Sequence, residues 1–264
     1  MSALVQVPRP EWVEGEPGQP AGDIREMAKH GKRYRAAAEA AGTGVHAPGA
    51  AVALAKEFSG TKFNEAIELH VATGADPRHA DQQLREVAEL PHGTGKDVRV
   101  FVFAQGDVAR AAMDAGADYI ADDELIKRIE GGWSEFDVAI ATPDQMGKIG
   151  RLGRYLGRKG LMPNPRTGTV VQPDNIKNAI ESSKKGRAEL RLDRGANIHA
   201  RIGTVAFEVD QILENLSSVY STIVRAKPDG VKGTFVKSVT LCTTMGPGFK
   251  LDQGELEKLT QSVR

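Results

Sequence analysis

The sequence predicts an α/β protein of two domains. A discontinuous α+β domain, a sheet packed with helices, is interrupted by an inserted Rossmann-like three-layer α/β domain. Three observations predict it. Between about residues 93 and 186, short and nearly continuous apolar runs alternate with helical patterns and short links, as in a parallel sheet covered on both faces. On either side, in 27–92 and 187–264, the strands alternate apolar and polar residues, as half-buried strands do. The run Thr234 to Gly248 is the clearest case: Phe235, Lys237, Val239, Leu241 and Thr243 fall on one side, and Val236, Ser238, Thr240, Cys242 and Thr244 on the other, before Pro247-Gly248 closes it.

Taken in order, residues 1–26 hold Pro8, Pro10, Pro17 and Pro20, five acidic side chains and few apolar ones, a composition that predicts a flexible N-terminal extension. A cationic stretch from Lys29 to Arg35 follows, and the abrupt change suggests Met27 as the natural start. Ala50 to Phe58 has a helix-forming composition with Pro48 near its start. Glu65 to Val71 reads as a strand, because Ile67, Leu69 and Val71 alternate with Glu68 and His70. A second strand is expected near Leu84 to Leu90. In the inserted block, Val98–Ala104, Tyr119–Ala121 and Phe136–Thr142 read as strands. Gly106–Gly116, Asp122–Glu130, Asp144–Leu156 and Asp174–Lys185 read as helices. After Gly186 come strands at Ala188–Leu192 and Asn197–Gly203. Val209, Ile212, Leu213, Leu216, Val219, Tyr220 and Ile223 then mark one long amphipathic helix, and the Thr234 strand is expected to close the fold.

Composition narrows the functional classes. The chain has 264 residues, enough for a full core, with 35 basic and 35 acidic side chains and no net charge. By region, residues 1–26 carry −3, 27–92 zero, 93–186 +1 and 187–264 +2. Bulk positive charge therefore cannot dominate any contact with nucleic acid. The single cysteine, Cys242, excludes an intramolecular disulfide framework and a cysteine-ligated zinc site, and it fits a reducing compartment. No apolar run approaches a membrane span and the N-terminus is no signal peptide, so a cytoplasmic protein without membrane contact is expected.

Catalytic signatures are missing from the sequence. His92-Gly93-Thr94-Gly95-Lys96-Asp97 hints at a phosphate loop but lacks the first glycine, carries Asp97 where Ser or Thr is needed, and precedes a strand. Gln105-Gly106-Asp107 lacks the dinucleotide fingerprint. Asp122-Asp123-Glu124 opens a helix, where acidic side chains cap and meet the dipole. The histidines have no ligand spacing, and no Ser or Cys sits in a nucleophile elbow. No cofactor and no metal are expected. Met146 to Pro165 is different: five glycines recur among Lys148, Arg151, Arg154, Arg158 and Lys159. A helix with several glycines is either partly unwound or closely approached by another backbone. Its cations are either a solvated face or secondary phosphate contacts. Thr244-Met245-Gly246 offers a hydroxyl, an apolar cap and an unobstructed backbone. That suits docking against a sugar-phosphate chain, or else merely ends an edge strand.

A series of segments in fixed order resembles the family of large-subunit ribosomal protein one, bacterial type. These are Lys29-His30-Gly31-Lys32-Arg33-Tyr34, Lys62-Phe63 with Glu68-Leu69-His70, Leu90-Pro91-His92-Gly93 with Gly95-Lys96, Ala115-Gly116-Ala117-Asp118-Tyr119 and Ala141-Thr142-Pro143-Asp144. Gly160-Leu161-Met162-Pro163-Asn164-Pro165, Gly233-Thr234-Phe235 and Thr243-Thr244-Met245-Gly246-Pro247 complete the series. The resemblance runs from Met27 to about Phe249. It implies the predicted fold, with 27–92 plus 187–264 as the RNA-binding domain, and no enzymatic activity. It further implies a structural constituent of the large ribosomal subunit in its mobile stalk, bound to 23S ribosomal RNA. The implied RNA-binding residues are Lys62, Phe63, Asp193, Ser238, Thr243, Thr244, Met245 and Gly246. Gly195 departs from the Thr of many relatives and removes one hydroxyl. Exit-site tRNA and the protein's own operon mRNA, whose translation relatives repress, are the other implied partners; no obligate homo-oligomer is expected. The rival reading is an enzyme that uses the inserted domain for a nucleotide cofactor.

Overall fold

A computed structural model describes residues 31–42 and 44–262. The expected extension 1–26 and the suggested start at Met27 lie outside them. The elements, in order, are α1 (Lys32–Ala41), β1 (Val45–His46), α2 (Pro48–Glu57), β2 (Ala66–Thr73), β3 (Arg85–Glu89), β4 (Val100–Phe103), α3 (Asp107–Asp114), β5 (Tyr119–Ile120), α4 (Asp123–Glu130), β6 (Val138–Ala141), α5 (Met146–Leu156), α6 (Ile176–Lys185), β7 (Arg187–Arg191), β8 (Asn197–Thr204), α7 (Val209–Arg225), β9 (Val236–Thr243), β10 (Gly248–Leu251) and α8 (Gln253–Ser262).

They form a mixed α/β structure with three sheets, and the largest has the order β1-β10-β9-β2-β8. Within it β1 and β10 run parallel and the other neighbours antiparallel. Alternation along β2 is strict: Ile67, Leu69 and Val71 are fully buried, while Glu68, His70 and Ala72 face outward. Helix α7 covers the inner face because Ile212, Leu216, Val219, Tyr220 and Ile223 recur at steps of three and four. Each such burial removes a side chain from water for about 1.5–3 kcal/mol. Glu208 and Gln211 close a reciprocal capping box at its start. The antiparallel pair β3–β7 adds Ala88 and Leu190 to the same core, with Leu90 just beyond β3.

The third sheet is parallel, in the order β5-β4-β6. Adjacent residues of β4 enter different cores. Phe101 and Phe103 pack with Ile129, Ile149, Leu152 and Leu156 from the side of α4 and α5. Val100 and Val102 pack with Ala112, Ile176 and Ile180 from the side of α3 and α6. Asp122 caps α4 by accepting the Leu125 N–H at 2.6 Å, the local role expected of it.

The two segments that connect this block to the rest meet at glycines. Leu90 donates its N–H to the Gly186 carbonyl at 3.2 Å. Asn215, fully buried on α7, donates to the carbonyls of Gly93 (3.0 Å) and Ile202 (2.8 Å) and accepts the His92 N–H (3.1 Å). One expectation is corrected: the Thr234 strand does not close the fold. The turn at Gly246-Pro247 leads into β10, which pairs back on β9 with Gly248 opposite Cys242, and α8 follows. Among the described residues no helix is long and apolar enough to cross a membrane.

Candidate nucleic-acid interface

The outward face of the large sheet is a polar grid built by strand register. Across β9, β2 and β8 it reads Ser238, Ala72, Asn197; then Thr240, His70, His199; then Cys242, Glu68, Arg201. At one end β9 is tied down to β2. The Thr244 N–H donates to the Ala66 carbonyl at 3.1 Å, the Thr244 hydroxyl accepts the Ala66 N–H at 3.1 Å, and the Met245 N–H donates to Glu65 Oε2 at 3.1 Å. Gly246 donates to the Thr243 carbonyl at 3.2 Å, and a Cβ added to it would lie 2.4 Å from Thr243 Oγ1. That close approach, and not a left-handed backbone, is what requires glycine here.

Of the eight residues expected at an RNA face, seven fall in two groups. Lys62, Phe63, Thr244, Met245 and Gly246 gather where β2 begins and β9 ends. Phe63 and Met245 are exposed to 54% and 55%, unusual for large apolar side chains. Ser238 and Asp193 belong to the other end of β2, about 20 Å away at the rise of an extended strand. Thr243 does not share the surface: its side chain is buried, so its hydroxyl is turned inward and only its backbone borders the turn. The Thr244 hydroxyl is exposed but already serves the Ala66 backbone. Asp193 organises its own loop, with Oδ1 accepting the N–H groups of Gly195 (2.8 Å) and Asn197 (2.7 Å). The Asn197 N–H bond, and then the His199 contact, hold its carboxyl below the usual carboxylate range.

Between the groups lies a row that the sequence reading missed. His70 Nδ1 is 2.7 Å from His199 Nδ1, and His70 Nε2 is 3.0 Å from Cys242 Sγ. His199 Nε2 approaches Asp193 Oδ2 at 3.3 Å, and Glu68 Oε2 lies 3.8 Å from His70 Nε2. Burial, reinforced by His199, pushes His70 below the ordinary imidazole value, so it is neutral at pH 7. Burial also lifts the Cys242 thiol to about 11, with Glu68 adding to the effect, so it is no thiolate nucleophile. Arg85, Arg166, Arg191 and Arg194 line a cleft together with Asp193 and His199. Alternation along β2 could have flagged Glu68 and His70 as outward-facing; their meeting with β8 and β9 could not be read.

On α5 and the turn after it the cations stand as expected: Lys148, Arg151, Arg154 and, beyond the helix, Arg158 are exposed, while Ile149, Leu152 and Leu156 are buried. Lys159 donates to the Gly132 carbonyl at 3.4 Å and to the Ser134 hydroxyl. Of the two explanations offered for the glycines, unwinding is corrected for Met146–Leu156, and close approach is corrected only for the described chain's own backbone. The helix is continuous over Met146–Leu156, and a Cβ at Gly147, Gly150 or Gly157 would meet nothing within 4 Å. No backbone of the described chain comes close there.

The sequence profile described as "Ribosomal protein L1p/L10e family" matches residues 55–247. The chain is 53% identical over 227 residues to the large ribosomal subunit protein uL1 of Dehalococcoides mccartyi (strain CBDB1), covering 86% of this chain and 96% of the relative. It is 52% identical over 235 residues to the protein of the same name from Chloroflexus aggregans, covering 88% and 99%. With that of Thermomicrobium roseum it shares 53% over 228 residues, covering 86% and 95%. The class that fold and relatives define is that of a ribosomal protein, structural and not enzymatic, whose compartment is the cytoplasm. Within that class, the chain belongs to the ribosomal protein L1p/L10e family.

Proposed function

We propose that this chain is a constituent of the large ribosomal subunit that binds 23S ribosomal RNA in the mobile stalk through the outward face and end-turn of its large sheet. Lys62 meets a phosphate, Phe63 and Met245 pack on sugars or bases, and Gly246 lets the RNA backbone come close. Ser238 and Asp193 bound the same surface, Thr243 and Thr244 shape it through the backbone, and the cations of α5 and the turn after it, Lys148, Arg151, Arg154, Arg158 and Lys159, are secondary phosphate contacts. The observation that carries this reading is the exposure of Phe63 and Met245 at a turn held rigid by its own hydrogen bonds.

The two-domain division is part of the same proposal, with 27–92 plus 187–264 as the RNA-binding domain, 93–186 as the inserted one and 1–26 as an extension. It is supported by the cores: the one under the large sheet draws on no residue between 93 and 186, and the two beside the parallel sheet draw only on such residues. In this reading the protein's stalk swings as deacylated tRNA leaves the exit site, and the same face binds the chain's own operon mRNA and represses its translation. The test is equilibrium binding of the full chain to the stalk segment of 23S RNA. Met245→Ala is expected to lose on the order of 1–3 kcal/mol with an unchanged circular dichroism spectrum. A folded wild-type chain that ignores this RNA would refute the reading.

A further inference from the structure

We propose that Glu68, His70 and Cys242 form a binding site for a borderline-soft divalent cation, of which Zn²⁺ is the type, on the outward face of the large sheet. One Glu68 oxygen, one imidazole nitrogen of His70 and Cys242 Sγ all lie within 4.8 Å of one another. Register places them: Glu68 is directly opposite Cys242 across the β2–β9 pair, and His70 follows Glu68 by two on the same face. Bonds of about 2.0–2.3 Å in tetrahedral geometry set ligand atoms roughly 3.3–3.6 Å apart. The observed 3.0 Å from His70 Nε2 to Cys242 Sγ and 3.8 Å to Glu68 Oε2 straddle that spacing, and the Glu68 oxygen lies within 4.8 Å of the sulfur.

The neighbours decide which nitrogen is available. Asp193 faces His199 Nε2, which puts the His199 proton there and leaves its Nδ1 bare. A 2.7 Å contact between two Nδ1 atoms needs one proton between them, so His70 must supply it. His70 Nε2 is then the nitrogen with the free lone pair, and it points at Cys242. A ligating histidine usually donates its other N–H to an acceptor that fixes its ring; here His199, steadied by Asp193, has that role. Metal binding replaces the thiol proton of Cys242, which leaves to solvent, with a metal–sulfur bond. In this proposal one thiolate suffices, because paired strands deliver an imidazole and a carboxylate to it. Three protein ligands on a solvent-facing surface leave the fourth position open.

The inference does not depend on RNA binding and is tested without RNA. The full-length, tag-free chain, reduced and stripped with a chelator, is titrated with Co²⁺ as the spectroscopic stand-in for Zn²⁺. One equivalent is expected to bind with a thiolate-to-cobalt charge-transfer band that Zn²⁺ then abolishes by displacement. Cys242→Ser should remove the band, and His70→Gln should weaken binding at least tenfold, each with an unchanged circular dichroism spectrum in the metal-free state. His199→Gln, acting through His70, should weaken it about tenfold while the band keeps its position. The inference is overturned if the folded, reduced wild type shows no charge-transfer band at saturating Co²⁺. It is equally overturned if Cys242→Ser and His70→Gln bind as the wild type does.

Discussion

Gly186 and Gly93 pass backbone against backbone, so near that a Cβ on Gly186 would lie 2.6 Å from the Gly93 Cα. Both hold positive φ, +109° and +71°. A Cβ on Gly93 would in turn meet the Lys185 carbonyl at 2.5 Å. Neither contact yields by rotating a flexible side chain. Gly186→Ala is therefore expected to lower stability by about 1–3 kcal/mol, read as a shift in the urea midpoint. An unmoved midpoint would mean that the two connections separate at no cost.

Asn215 guards the same crossing from the side of α7. Truncation leaves the Gly93 and Ile202 carbonyls and the His92 N–H without their partner inside the core. Asn215→Ala should cost about 2–3 kcal/mol in chemical denaturation. A loss below half a kilocalorie would show that water replaces the side chain.

Much of this architecture was legible because its signals are local. The apolar runs around Val100–Phe103 and Val138–Ala141 announced a sheet covered on both sides, and Asp122 announced a helix start. The elements missed had weak local signals. Helix α1 buries only Ala37 and Ala41. Strand β1 has two residues, and β10 follows a Pro-Gly pair that looked like an end. Helix α8 did carry a signal, since Asp252 accepts the N–H groups of Gly254 and Glu255, and it was overlooked. For the candidate site, exposed Phe63 and Met245 follow from the motif. The inward turn of Thr243 follows from its parity with Val239 and Leu241. The meeting of His70, His199 and Cys242 depends on long-range pairing that periodicity does not encode.

Glu65 gives a pH prediction. Burial pushes its carboxyl upward, but the Met245 N–H bond and the nearby Thr243 and Thr61 hydroxyls more than offset this and hold it below the ordinary 4.5. A depressed carboxyl stabilises the fold above its unfolded pKa and loses that contribution as pH falls through the folded one. The stability difference between wild type and Glu65→Gln should thus be constant above about pH 5 and shrink as pH drops below 4.5. A difference independent of pH over that range would contradict the assignment.

Gly246→Ala tests the turn separately from the fold. The added carbon meets the hydroxyl of a buried, β-branched Thr243 and must displace the turn. Affinity for the 23S stalk segment should fall about tenfold or more, while the thermal midpoint moves by only a few degrees. Equal affinity would remove this turn from the interface.

Charge sets the last expectation. With no net charge, and only +2 over 187–264, the chain has little excess positive charge with which to release counterions from RNA. The slope of log K against log salt should be no steeper than about −5, equivalent to the roughly six phosphate contacts of Lys62 and the five secondary cations. A slope near −8 would instead place the arginine cleft in the main contact as well.

The strand order β1-β10-β9-β2-β8 has a consequence for biosynthesis. Interior strand β2 is made early, yet both its neighbours are translated only after the whole parallel block has been made. That block is contiguous and can fold while the chain is still growing; the large sheet cannot. Until β9 is released, the Ile67-Leu69-Val71 edge waits unpaired, and the surface offered to RNA does not yet exist. A nascent chain therefore cannot compete with finished copies for a ribosome under assembly.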